Sequence, residues 1–172
     1  MATRSYVIFH NAAEGFYTGA YIHWSGAPLP GDWVGGILQD HYQDPAKIRK
    51  AIALGSCSIL AADPGDEAHP FEAANDYADR GVSTYYRRDR GDAWDHTAPQ
   101  WSGDLYPMLN TALEGMGCEY VYLWTDRGDG PQWYWAALCW GDVYDAESVL
   151  DWEPLGPHLA AVIAEEAARD QM

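Results

Sequence analysis

At 172 residues, 48% of them apolar, the chain is long enough for one folded domain with a real core and too apolar for disorder. Its formal charge of −16, from 26 Asp plus Glu against 10 Lys plus Arg, excludes general nucleic-acid binding and attachment to anionic membranes, both of which need a basic face. The 3 cysteines, Cys57, Cys118 and Cys139, lie far apart without a CxxC pair, which excludes a disulfide framework and fits a reducing compartment.

Ser5–His10 is β-branched and aromatic and reads as a first strand. Asn11–Gly15 is a turn, and Phe16–Trp24 a second strand returning antiparallel to the first. Ser25–Gly31 is a Pro/Gly loop. Asp32 is placed to cap a helix reaching about Tyr42, with Trp33, Val34, Ile37, Leu38 and Tyr42 on one face. Asp44-Pro45 is a cap and first-turn pair, and Gly55 a stop; Ile48, Ala51 and Ile52 form the buried stripe between them. Cys57–Leu60 is a short strand, Pro64–Pro70 an acidic loop and Phe71–Ala78 a short helix. Val82–Arg88 reads as a strand, Gly91–Trp101 as a polar connection and Leu105–Met116 as a helix.

Two aromatic strands follow, Cys118–Thr125 and Gln132–Leu138, joined by the turn residues Asp126–Pro131. Cys118, Tyr120, Tyr122 and Trp124 share one face by period-two alternation, with Val121 and Leu123 opposite. Apolar side chains on both faces imply a central hairpin covered on both sides, or covered on one and used on the other. The last helix runs from Gly156 to about Ala168. With no repeat, linker or regular βαβ alternation, the expected fold is α+β, one domain over residues 1–172: a mainly antiparallel sheet with a central aromatic hairpin, packed by about four helices.

The motifs TRSYVIF, YIHWSGAP (Tyr21–Pro28), HYQDPAKIRKAIALGSCSIL and YRRDRGD (Tyr86–Asp92) occur in an order that resembles a family of small uncharacterised proteins of phages and bacteria. That family carries GTRS, YxHWDGYP, HY-D, LGxxS and YxRDRGE segments, then an aromatic EYVYLW-like hairpin. The resemblance spans most of the chain. Ala2 stands in place of the family's Gly, Ser25 and Ala27 in place of its Asp and Tyr, and Asp92 in place of its Glu. The resemblance implies a phage-type accessory protein, placed in the host cytoplasm if phage-encoded, and implies no particular activity.

The chemistry-bearing residues fall in two groups. Arg87, Arg88 and Arg90 put three of the chain's 10 positive side chains in four positions. In so acidic a background they form either an internal network with Asp89 and Asp92 or an anion site, since guanidinium forks suit phosphate and carboxylate. Arg4-Ser5 and His23-Trp24 lie at the adjacent ends of the first two strands. Arg, Ser, His and Trp together suit a phosphate, a sugar hydroxyl and a base. The expected ligand site is therefore Arg4, Ser5, His23, Trp24, Tyr86, Arg88 and Arg90. The histidines lack HxxxH, HExxH or HxH spacing, there is no GxSxG elbow, and neither standard phosphate-binding glycine loop is present. No metal, cofactor or catalytic residue is expected.

The sequence thus suggests a protein that binds a small anionic, nucleotide-derived ligand in an aromatic pocket and sequesters a host-defence signal. Two alternatives remain open: an acidic inhibitor or nucleic-acid mimic acting on a host protein, and a hydrolase of the nucleotide using His23. Nine Trp and 12 Tyr also suggest a symmetric homodimer, because they leave more apolar surface than the chain readily hides.

Overall fold

The computed structural model describes residues 2–145, 148 and 150–170. Its first two strands, β1 (Ser5–Asn11) and β2 (Phe16–Ile22), pair antiparallel with Ser5 opposite Ile22 and Asn11 opposite Phe16. The helix that follows, α1 (Val34–His41), begins after Trp33 and has no side-chain cap, so the expected Asp32 cap is absent. Loop carbonyls replace it. The N–H groups of Val34, Gly35 and Gly36 donate to the carbonyls of Ser25, Ala27 and Leu29, which satisfies the first turn from the Pro/Gly loop. α2 (Pro45–Ala53) is capped as its sequence dictates, with Pro45 at the first position and the Asp44 carboxylate accepting from the Ala46 N–H at 2.9 Å.

Beyond α2 lies β3 (Cys57–Ile59), then a 3-10 turn at Phe71–Ala73 leading into α3 (Ala74–Asp79). The strand expected over Val82–Arg88 is only two residues long, β4 (Thr84–Tyr85). A single wide turn of π-helix, Tyr86–Arg90, replaces the rest and ends at Gly91 with φ +82°. The polar connection after it contains α4 (Trp94–Thr97) and β5 (Gln100–Ser102). α5 (Leu105–Asn110) continues through a wide turn at Thr111–Gly115. β6 (Tyr120–Asp126) and β7 (Pro131–Ala137) pair antiparallel, followed by β8 (Glu153–Pro154) and the long α6 (Leu155–Arg169).

The fold is α+β. Eight strands make one mixed sheet in the order β4-β3-β2-β1-β6-β7-β8, with β5 also paired to β2. Most pairs are antiparallel, but β1–β6 and β2–β3 are parallel. β1 holds the middle position, between its own hairpin partner and the β6–β7 pair. Six α-helices are present among the described residues, against about four expected. None is long and apolar enough to cross a membrane.

Alternation along the strands builds two cores. Val7, Phe9, Ile22, Tyr122, Trp124 and Trp133 face one way, against α1, α2 and the first turns of α6. Tyr6, Ile8, Val121, Leu123 and Ala136 face the other way, against α5 and the segment after β7. Large buried side chains with a polar tip tie these layers to loops. Tyr122 donates to the Gly26 carbonyl at 2.8 Å, Trp133 Nε1 to the Tyr42 carbonyl at 2.7 Å, and Tyr42 to the Ala61 carbonyl at 2.8 Å.

Gly26 fixes where the loop after β2 lies against the start of β1. Its N–H donates to the Thr3 carbonyl, and a Cβ there would meet the Arg4 and Thr3 backbone at 2.8 Å. Gly26→Ala is therefore expected to lower unfolding free energy by about 1–3 kcal/mol, as overpacking against backbone does. Gly103→Ala, which meets no atom within 4 Å, is expected to be near neutral. Urea denaturation of both variants checks this.

Candidate anion-binding cleft

The register of the first hairpin decides which side chains share a face. Residues opposite one another in an antiparallel pair point the same way, and neighbours along a strand point opposite ways. With Tyr6 opposite Tyr21 and Ser5 opposite Ile22, Arg4 falls opposite His23 one step beyond the pairing. Arg4, Tyr21 and His23 thus line one cleft, while Ser5 and Trp24 belong to the other face.

Three turns close this cleft around Arg4, Tyr21 and His23. The segment entering β3 brings Ser56, the π-turn brings Tyr86, Arg90 and Asp92, and α4 brings His96 and Thr97; Met116 completes a space of about 580 Å³. Backbone bonds fix these pieces to one another: His23 N–H to the Cys57 carbonyl, Ser56 N–H to Thr97, and Tyr86 N–H to Ser56. Gly117, with φ +64°, sits where a Cβ would meet Arg4 Nη1 at 3.2 Å and the Trp140 ring at 3.4 Å. The exposed Trp140 indole therefore lies beside the Arg4 guanidinium. Its loop is anchored by the Asn110 side chain, which bonds both the N–H and the carbonyl of Tyr144.

The arginines divide by role. Arg88 is largely buried and is absent from the cleft. Its guanidinium meets both oxygens of Asp89, at 2.7 and 2.9 Å, and donates to the carbonyls of Pro64, Gly65 and Ser83. Asp89, with no exposed side-chain surface, also accepts from the N–H groups of Tyr85 at 2.7 Å and His69 at 3.1 Å. Burial pushes its carboxyl up, but Arg88 and those two N–H groups outweigh it and hold it below the ordinary range. Arg87 donates to the Asp92 carbonyl at the surface.

Arg90 is half exposed, forked on Asp92, and lies over the rings of Tyr86 at 4.5 Å and Phe71 at 5.1 Å. Its fork holds the Asp92 carboxyl below its usual range. Arg4 differs: among the described residues no carboxylate lies within ion-pair distance of it. His23 Nδ1 is 2.7 Å from the Tyr21 hydroxyl. Partial burial, then the charges of Arg4 and Arg90, lower the His23 pKa. Burial likewise pushes Tyr21 up to about 12, against the pull of Arg4. The described lining of the cleft thus carries two guanidinium charges, Arg4 and Arg90, against the one carboxylate of Asp92, with His23 shifted toward its neutral form.

Of the residues expected from sequence, Arg4, His23, Tyr86 and Arg90 come together. Ser5 is fully buried with its hydroxyl unpartnered. Trp24, 46% exposed, packs edge-on against His23 at 4.8 Å but lines the neighbouring groove. Tyr21, Ser56, His96, Thr97 and Trp140 lie outside the ligand site expected from sequence. Tyr21 was within reach, being two positions before His23 on a strand and so on its face. Ser56 arrives on a loop, His96 and Thr97 on the short α4, and Trp140 reaches the Arg4 side from the segment after β7, placements that no local pattern encodes. No group of three metal-ligating side chains occurs among the described residues. Comparison with protein-family models, with curated proteins and with solved structures finds no match for this chain.

The division of the arginines has a direct consequence for stability. Arg88→Ala leaves Asp89 buried without its cation and is expected to cost about 3–5 kcal/mol. Arg90→Ala, at the surface, is expected to cost under about 1 kcal/mol. Because the folded Asp89 carboxyl is depressed, its contribution is present above an unfolded pKa of about 4 and is lost as pH falls through the lower folded value. Denaturant midpoints of both variants, followed with pH, check the ranking.

Proposed function

We propose that the cleft binds a small anionic ligand of the nucleotide class, and that the protein acts as a phage-type accessory protein by sequestering such a signal. The observation that carries this proposal is Arg4, a half-buried guanidinium with no carboxylate partner among the described residues, in a chain of charge −16. A phosphate supplies the missing anion, taking two parallel bonds from Arg4. Arg90, held by Asp92 and by the rings of Tyr86 and Phe71, offers a second, preoriented cation. The rings of Tyr86 and Trp140 offer faces for a base at the rim.

His23 supports a second reading. Its hydrogen bond with Tyr21 fixes the imidazole, and a fixed neutral imidazole beside a phosphate suits acid–base chemistry. Hydrolysis and sequestration separate by whether the bound nucleotide is recovered intact.

The test is a thermal-shift screen against mono-, di- and cyclic nucleotides, followed by mass spectrometry of the mixtures. A nucleotide that raises the melting temperature and is recovered whole fits sequestration; conversion to product fits hydrolysis; no shift with any phosphate-bearing compound refutes an anion site. Arg4→Ala is expected to weaken binding by about 2 kcal/mol, roughly thirtyfold.

Binding should also respond to pH. A bound anion raises the His23 pKa from its lowered free value, so binding takes up a proton. Affinity is expected to increase as pH falls through the raised pKa of the bound state and to level off below the lowered free value. His23→Gln should flatten that profile. Isothermal titration in buffers of different ionisation enthalpy measures the proton uptake directly.

A further inference from the structure

A concavity larger than the anion cleft lies beside it, on the other face of the sheet end. It holds about 1170 Å³, above the roughly 300–1,000 Å³ of small-molecule pockets. Its floor is the β3 strand and the residues just after it, where Ile59 and Ala62 are only partly covered. α1 forms one wall through Ile37, Asp40 and His41. α3 forms the other through Ala74 and Ala78, one helical turn apart, whose small side chains permit close approach. Trp24 and Phe71 stand at the end nearest the anion cleft.

The groove is apolar at its base and acidic along its sides. Asp32, Asp40, Glu72 and Asp79 line it, no lysine or arginine does, and none of the four is in an ion pair among the described residues. α1 and α3 flank a strand floor, an arrangement open to an amphipathic helix laid apolar face down. We infer that this groove is the docking site for a basic amphipathic helix of a partner protein. Apolar side chains at helical spacing fill the lane against Ile59, Ala62, Ala74 and Trp24, and flanking Lys or Arg residues meet the four carboxylates. This is the helix-in-groove mode of recognition, with charge complementarity setting sign and orientation. It is a second surface, distinct from the proposed anion cleft though next to it through Trp24 and Phe71.

The probe is a short amphipathic helix of leucine and lysine, titrated while amide NMR signals are followed, beside a leucine/glutamate version and a lysine/serine version. Expected is binding of the leucine/lysine helix alone, with shifts concentrated at Ala74–Asp79, Asp40 and Trp24. Ala78→Arg, which fills the lane and sets a positive charge in the path of the probe's lysines, should weaken binding by about tenfold or more, whereas Asp129→Lys in the β6–β7 turn should change it little. Unaltered pyrophosphate binding by Ala78→Arg shows that the fold and the anion cleft are intact. If Ala78→Arg does not fold, Asp40→Lys takes its place with the same expectation. Equal binding of the lysine/serine peptide, equal loss in Asp129→Lys, or no binding of the leucine/lysine helix overturns the inference.

Discussion

The Arg88–Asp89 pair is the interaction on which the rest of the site depends. Asp89 spends all its acceptors inward, on the Arg88 fork and on two backbone N–H groups. Arg88 reaches three carbonyls, two in the acidic loop and one at Ser83. One ion pair thereby joins the loop before α3, the last strand of the sheet edge and the π-turn. A buried pair of this kind costs desolvation and is weak evidence for net stability. What it secures is geometry. By drawing Asp89 back under Tyr85, it ends β4 after two residues and swings Tyr86 and Arg90 out to the cleft. His69, stacked on Tyr77 at 3.8 Å and 3.2 Å from the Ser83 carbonyl, closes the same knot from the α3 side.

Against that fixed turn, the first hairpin presents Arg4 and His23 from the sheet. The two halves of the site therefore have different physical origins. One is set by strand register, which the core enforces because a slip by one residue would turn Tyr6 and Ile8 out of one core and Val7 and Phe9 out of the other. The other is set by a polar knot. Where they meet, positive charge collects in a protein that elsewhere is negative. Such a local reversal attracts an anion against the overall field, and it does so only at short range, within about a Debye length of 8–10 Å.

Much of the fold was legible because it rests on local rules. The Asp44-Pro45 cap, the β1–β2 hairpin and the alternating aromatic strands each follow from turn chemistry or period-two patterning, and each appears close to its expected limits. The parallel β1–β6 pairing, which puts β1 in the middle of the sheet, was not legible. It joins residues more than a hundred positions apart, and no local signal distinguishes which strand a buried strand will choose. The α1 cap failed for a related reason: Asp32 has the right chemistry, but loop carbonyls reached the helix N–H groups first. At the site, alternation already separated Arg4 from Ser5 and His23 from Trp24, so those pairs could never have shared one pocket. The Arg88–Asp89 pairing was one of the two readings the sequence allowed, whereas the carbonyl partners of Arg88 at Pro64 and Gly65 were beyond local reading because only the folded loop brings them near.

The central claim is that the arginines divide, with Arg88 committed to the fold and Arg4 and Arg90 open to an anion. The guanidinium Nε–H signals in nitrogen-correlated NMR report on each arginine separately. Titration with pyrophosphate should move the Arg4 and Arg90 signals together along one saturable curve and leave Arg88 unmoved. A shift of Arg88 with Arg4 stationary, or no shift of any arginine at saturating pyrophosphate, would contradict the account.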